Sequence, residues 1–328
     1  MKFLGNIIVL YRQLQRQRRY LKIHLPDLLS EIFFGDSLSF FQPHYKRITA
    51  YAQIAITFTF DPLCQLTGRP LNANEHKRII LLSAFGPLFD DLFDDRLLNP
   101  EHIELLITRP TAYVPLNITD HVVKQLYLSL LQIAPRRQQF INHQHALFYW
   151  QKASLKQLDP TITEEELLQV TYNKSYYAIL LYCTLLDHYP NEEILAMLYP
   201  VAGLLQLTND AFDVWKDIHN KVYTLPNLIR DIGKLQQRFM DDVALINKKL
   251  WQLPYPVRLK QMYATTVHLL LATGWMALEH QKSVTAGVTT VDALAAMPRK
   301  ALICDMDTLP QKVKCLRHIY RLVKYQKV

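Results

Sequence analysis

The chain has 328 residues, half of them apolar and 11 % aromatic, with a formal net charge of +8 and a pI near 9.1. Only 8 glycines and the absence of any Walker or dinucleotide fingerprint argue against glycine-rich nucleotide loops and turn-dense β folds, and so favour helices. The positive surplus suits an anionic partner, whether diphosphate, nucleic acid or acidic lipid, and does not choose among them.

No uninterrupted apolar stretch reaches the roughly 18 to 20 residues of a membrane span, so no integral membrane segment is expected and the cytoplasm is the expected compartment. The N-terminal run from Met1 to Tyr11 is broken by Asn6, precedes its dense positive charge and lacks a small-residue cleavage site, so it is not read as a signal peptide. Cys64, Cys183, Cys304 and Cys315 show neither CxxC spacing nor a zinc-like histidine pattern and read as reduced core thiols.

Residues 2–34 read as one or two amphipathic helices, with Pro26 and Asp27 marking a break and a restart. Arg12, Arg16, Arg18, Arg19 and Lys22 fall there among Leu10, Leu14 and Leu21; a solvated face, a membrane-surface helix and a nucleic-acid contact all fit that pattern. Nucleic acid, suggested by charge alone, is not an expected partner. Residues 35–44 read as a loop. The run 45–66 is rich in β-branched and aromatic residues and has strand propensity, but its length argues for a buried helix.

Gly68 and Pro70 close that element, and Asn72 or Asn74 caps a helix running from Glu75 into Phe85-Gly86-Pro87-Leu88-Phe89-Asp90-Asp91-Leu92-Phe93-Asp94-Asp95. Gly86-Pro87 is expected to kink the helix rather than end it. On a helix Asp90 and Asp94, like Asp91 and Asp95, stand four apart, so like charges crowd one face while the phenylalanines and leucines between them favour burial. A hard divalent cation would resolve that conflict, and Mg²⁺ is usually held by one or two carboxylates plus substrate phosphates. A charged helix end on the surface is the plainer alternative.

Helices are expected near 101–107, 118–133 and 137–157, the last carrying Phe148, Tyr149 and Trp150 as core or cavity wall. Thr161 or Thr163 with Glu164 to Glu166 starts the next, which runs through Tyr172, Lys174, Tyr176 and Tyr177 to Leu186. Another begins at Pro190 and Asn191. After Pro200 it carries Asn209, Asp213 and Asp217 at four-residue intervals, with Asp210 beside them and an apolar stripe opposite. Two such helices facing each other would hold several Mg²⁺ between them. Helices near 229–252, 257–282 and 309–326 complete the chain, with a polar stretch around 283–300. No linker or repeat stands out, so residues 1–44 read as an N-terminal helical segment packed on a domain formed by 45–328, one domain overall.

Phe89-Asp90-Asp91-Leu92-Phe93-Asp94 resembles the DDxxD motif of the class I isoprenoid synthases. Asn209-Asp210-Ala211-Phe212-Asp213-Val214-Trp215-Lys216-Asp217 is similar to their second metal motif, intermediate between the NDxxSxxxE of terpene cyclases and the DDxxDxxxD of chain-elongating prenyltransferases. Lys174-Ser175 looks like the Lys-Thr pair that touches diphosphate, and Arg317, Tyr320 and Arg321 look like the C-terminal arginine-tyrosine element of cyclases. Two features depart from elongating enzymes: Arg96 stands alone where they carry an arginine pair, and Lys46-Arg47 only echoes their basic element for isopentenyl diphosphate.

The resemblance implies an all-α, single-domain helical bundle of the terpenoid synthase type that acts as a Mg²⁺-dependent terpene synthase on an allylic prenyl diphosphate. Three Mg²⁺ would be held by Asp90, Asp94, Asn209, Asp213 and Asp217, with Asp91 also counted in the catalytic set. Lys174, Lys216, Arg317, Tyr320 and Arg321 would bind the diphosphate, and Phe85, Phe89, Tyr172, Tyr176 and Phe212 would line a cavity shielding the carbocation. Members of the family often pair into homodimers. The alternatives are a trans-prenyltransferase, a head-to-head squalene- or phytoene-type synthase, and a helical protein that binds metal or anions without chemistry.

Overall fold

A computed structural model describes residues 2–94, 97–229 and 231–326, excepting the side chains of Lys2, Phe3, Leu4 and Asp94. Among the described residues every regular element is helical and no strand occurs, so the expected all-α class is what the chain adopts. Residue contacts divide the chain into two compact units: residues 1–148 with 180–189, and residues 149–179 with 190–328.

In the first unit α1 (Lys2–Ser30) packs on α3 (Tyr45–Ile54). Where a break was expected at Pro26, α1 runs on to Ser30. A proline inside a helix forfeits one backbone bond, and here the buried stripe of Leu21, Leu25, Leu28 and Leu29 continues straight through it. The expected loop at 35–44 holds the single turn α2 (Asp36–Ser39) and a 3₁₀ turn, Gln42–His44. The β-branched run that follows is helical throughout: α3 passes through a π turn, Ala55–Phe60, into α4 (Asp61–Leu66), which carries Pro62 directly after the π turn.

Helix α5 (Ala73–Asp94) is the centre of this unit, contacted by α3, the π turn and α7 (Ile118–Ile133), with α6 (Pro100–Thr108) between them in the chain. Asn72 caps it: its Oδ1 accepts from the N–H groups of Asn74 and Glu75, both at 3.0 Å, while Glu75 Oε2 accepts from Asn72 N–H at 3.0 Å. Ile79, Ile80, Leu81 and Leu82 are all buried, so the helix is apolar all round, as a central helix should be. It passes through Gly86-Pro87 unbroken; a glycine before proline has no Cβ to strike the ring, which lets a helix tolerate the pair.

Helices α8 (Arg137–Ser154) and α9 (Glu164–Cys183) carry the chain between the units. Thr163 caps α9 in a reciprocal bond with Glu166, and the helix ends at Cys183 rather than Leu186. There Arg78 takes the Leu185 carbonyl at 2.5 Å and Arg136 takes that of Leu186 at 2.8 Å, so these residues are held by side chains instead of a helical ladder.

The second unit is built on α10 (Glu192–His219), which starts at the Asn191 cap, continues through Pro200, and packs on α12 (Ile232–Gln252) and α13 (Val257–Val284). The single turn α11 (Leu225–Leu228) joins α10 to α12. The stretch at 283–300 is less irregular than its polarity suggests: α14 (Val291–Ala295) and α15 (Arg299–Leu302) bury Leu294 and Leu302 against Val214 and Ile218 of α10. Helix α16 (Leu309–Lys324) lies on α13 and α12. All four cysteines are free thiols, three of them buried. No helix among the described residues is long and apolar enough to cross a membrane.

Candidate functional site

In each unit the acidic motif grows from the central helix. At the end of α5, Leu88, Phe89 and Leu92 are buried while Asp90 and Asp91 are half-buried. Arg47 reaches over from α3: its Nη1 donates to both carboxylate oxygens of Asp91, at 2.6 and 2.8 Å, and its Nη2 to the Pro87 carbonyl at 2.9 Å. Desolvation of its hydroxyl end, together with the neighbouring Asp90 carboxylate, pushes the Tyr51 phenol up, and Arg47 opposes that shift. The side chain of Asp94, and Asp95 and Arg96 entirely, lie outside the described residues.

Phe85 and Phe89, expected as cavity wall, are 1 % and 2 % exposed and belong to a chain of packed rings in the first unit. Phe85 stacks on Phe89 at 5.1 Å and on Tyr127 at 5.7 Å; Phe89 meets Phe93 at 5.9 Å, and Phe93 meets Phe148 at 5.6 Å. These rings fill core volume beside the carboxylates.

In the second unit, Asp210, Asp213 and Asp217 share one flank of α10, at the i, i+3, i+7 spacing of a helical stripe. Asp210 is buried and its Oδ1 accepts from Gln206 Nε2 at 2.8 Å. Burial is the first cause that pushes its carboxyl up to about 7; Gln206 and the charge of Lys174 pull it back, and Asp213 adds to the rise. Asp217 is pushed up to about 8, first by burial and then by the charges of Asp210 and Asp213. Lys216 Nζ lies 3.9 Å from Asp213. Asn209, counted as a ligand from its spacing, is exposed at the edge of this stripe, and Asp210 takes the inner position. The i+3, i+7 relation to Asp213 and Asp217 puts Asp210 on the same stripe, but nothing in the spacing ranks it above Asn209.

Lys174 therefore stands within electrostatic reach of the acidic flank, as its position in the sequence suggested. Tyr172 is buried, donates its hydroxyl to Asp242 and packs its ring against Gly203. The Tyr176 hydroxyl donates to the Leu195 carbonyl at 3.4 Å, with its ring 5.1 Å from that of Tyr199. Phe212 is half-buried.

Arg317 and Arg321 are exposed on α16, Arg321 with its guanidinium 5.6 Å over the Trp275 ring; Tyr320 is 47 % exposed and receives a hydrogen bond from Lys324. Among the described residues neither arginine forms an ion pair with Asp210, Asp213 or Asp217.

The donor set is oxygen throughout, which suits a hard cation. Among the described residues no three His, Cys, Asp or Glu side chains gather as a ready-made metal cage. A magnesium ion that keeps its waters and shares one or two carboxylates with phosphate oxygens needs no such cage. No protein-family model matches this chain, and no curated protein matches it.

Proposed function

We propose that the protein is a class I terpene synthase, which ionises an allylic prenyl diphosphate with Mg²⁺ and closes the resulting carbocation into a cyclic product. The observation that carries this reading is the flank of α10. Burial raises the proton affinity of Asp210 and Asp217, the charge of Asp213 adds to both shifts, and Lys174 opposes the first and Lys216 the second. Such a flank favours added positive charge.

In this reading Asp90 and Asp94 of the first unit would supply oxygens to Mg²⁺, and so would Asn209, Asp213 and Asp217 of the second. Bound magnesium would act as a Lewis acid towards the charge that develops on the leaving diphosphate. Lys174 and Lys216 hold the diphosphate oxygens by charge, and Asp210, held by Gln206, lies within electrostatic reach of Lys174. Tyr176 and Phe212 offer ring faces to a carbocation and exclude water.

Prenyl chain elongation is the second reading, and Arg47 favours it: this arginine, beside the first acidic motif, is one of the pair echoing the isopentenyl diphosphate element.

The test is incubation of purified protein and Mg²⁺ with geranyl, farnesyl and geranylgeranyl diphosphates separately, with and without isopentenyl diphosphate, followed by hydrocarbon and diphosphate analysis. Cyclic product from a single allylic substrate, lost by about a hundredfold or more in Asp213→Ala, is the expected result. A longer prenyl diphosphate formed only with isopentenyl diphosphate establishes elongation instead, and absence of Mg²⁺-dependent diphosphate release from every substrate overturns both.

A further inference from the structure

We propose that the outward face of α1 docks on an anionic lipid bilayer. The helix has two unlike sides. Leu10, Leu21, Leu25, Leu28 and Leu29 are buried in the first unit, and the helix is tied to α3 by Arg18 Nε to Gln53 Oε1 at 3.4 Å and Gln53 Nε2 to the Leu14 carbonyl at 3.3 Å. That side is fully used in folding.

The other side is apolar and cationic at once. Ile8, Val9, Tyr11 and Ile23 are 53 %, 43 %, 61 % and 62 % exposed, and Arg12, Arg16, Arg19 and Lys22 are exposed around them. With a residue every 100° or so, Ile8, Arg12, Arg19 and Ile23 fall within about 60° of arc, flanked by Arg16 and Lys22. Between Gly5 and Pro26 the sequence contains no aspartate or glutamate. Among the described residues none of these four cations is in an ion pair.

An ordinary solvated face mixes charge signs and carries few large aliphatics. This one interleaves aliphatics with cations of one sign, the arrangement of a helix lying in a bilayer interface. There the isoleucines sink between headgroups, while arginine and lysine stems run upward and place their charges at the phosphates. A nucleic-acid backbone would satisfy the cations but gives Ile8, Val9 and Ile23 no apolar surface to enter. Since no described helix can cross a bilayer, the contact is one of lying on the surface.

The full chain is floated or co-sedimented with phosphatidylcholine vesicles, with and without phosphatidylglycerol, at low and raised salt. Binding confined to the phosphatidylglycerol vesicles and weakened by salt is expected. Replacing Arg12, Arg16, Arg19 and Lys22 by glutamate should abolish it, at about fivefold or more per position. A second variant, Ile8→Ser with Ile23→Ser, leaves the charge unchanged and should still lose most of the binding. All these positions are solvent-facing, and circular dichroism checks that the variants fold. The proposal fails if anionic and neutral vesicles bind alike, if either variant binds as the unaltered chain does, or if the chain binds duplex DNA in a salt-dependent way and no vesicles.

Discussion

Arg47 commits one nitrogen to both oxygens of Asp91, at 2.6 and 2.8 Å, and so makes two adjacent aspartates chemically different. Asp91 spends both oxygens on Arg47 in a charge-assisted pair, while the charge of Asp90 acts on Arg47 and on the phenols of Tyr51 and Tyr182, the first of which also feels Asp91. Asp90→Ala should therefore lower Mg²⁺-dependent diphosphate release by about a hundredfold, and Asp91→Asn by about tenfold or less, when both are assayed at saturating substrate. Equal losses would mean that Asp91 leaves Arg47 to serve the substrate site.

A Cβ on Gly203 would stand 2.3 Å from the Cδ1 and Cε1 atoms of Tyr172. That ring cannot swing aside cheaply, since it is buried and its hydroxyl is bonded to Asp242. Gly203→Ala should cost about 1–3 kcal/mol in urea unfolding, as overpacking does. In a Tyr172→Ala background the same change should cost little, giving a coupling of about 1 kcal/mol or more.

Helix α10 ends with Lys221 at φ 57°, where the Val222 N–H reaches the Asp217 carbonyl at 2.8 Å and the Lys221 N–H reaches that of Ile218 at 3.0 Å. This is a Schellman closure with lysine in the left-handed position that glycine ordinarily fills. The strain of about 1–2 kcal/mol is offset in part by the greater freedom of glycine in the unfolded chain. Lys221→Gly should raise stability by about 0.5–1 kcal/mol, read as a higher denaturation midpoint; a lower midpoint would show that the lysine side chain contributes more than its backbone costs.

Stability should depend on pH through two opposed sets of groups. Asp210 and Asp217, raised from 3.8 to about 7 and about 8 chiefly by burial, hold protons in the folded state that the unfolded chain has lost. Metal-free protein therefore loses stability as pH rises from about 4 to 8, by up to about 1.4 kcal/mol per pH unit for each group. His268 is buried beside Asn247, its Nε2 2.7 Å from Oδ1, and burial lowers it from 6.5 to about 3. It binds fewer protons folded than unfolded, so its contribution is lost as pH falls from 6.5 towards 3. Above pH 6.5 the carboxylates act alone: the melting temperature should decline towards pH 8, and Asp217→Asn should flatten that decline. A melting temperature that climbs over this interval would contradict the assignment.

Helix content, the caps at Asn72, Thr163 and Asn191, and the helical rather than extended form of 45–66 follow from local residue order, because capping bonds and apolar spacing act within a few residues. So does the placing of both acidic motifs on apolar helices. Continuity through Pro26 was settled by burial of Leu25, Leu28 and Leu29, which outweighs one missing backbone bond. The partner of Asp91 was likewise a tertiary matter: Arg47 lies 44 residues away and meets it only when α3 packs on α5. Spacing alone ranks Asn209 with Asp213 and Asp217, but the angle at which α10 turns towards its neighbours buries Asp210 and leaves Asn209 in solvent. Charge, helical period and motif are properties of the chain read residue by residue. Which carboxylate is buried, paired or exposed depends on how one helix is rotated against another, and packing fixes that rotation.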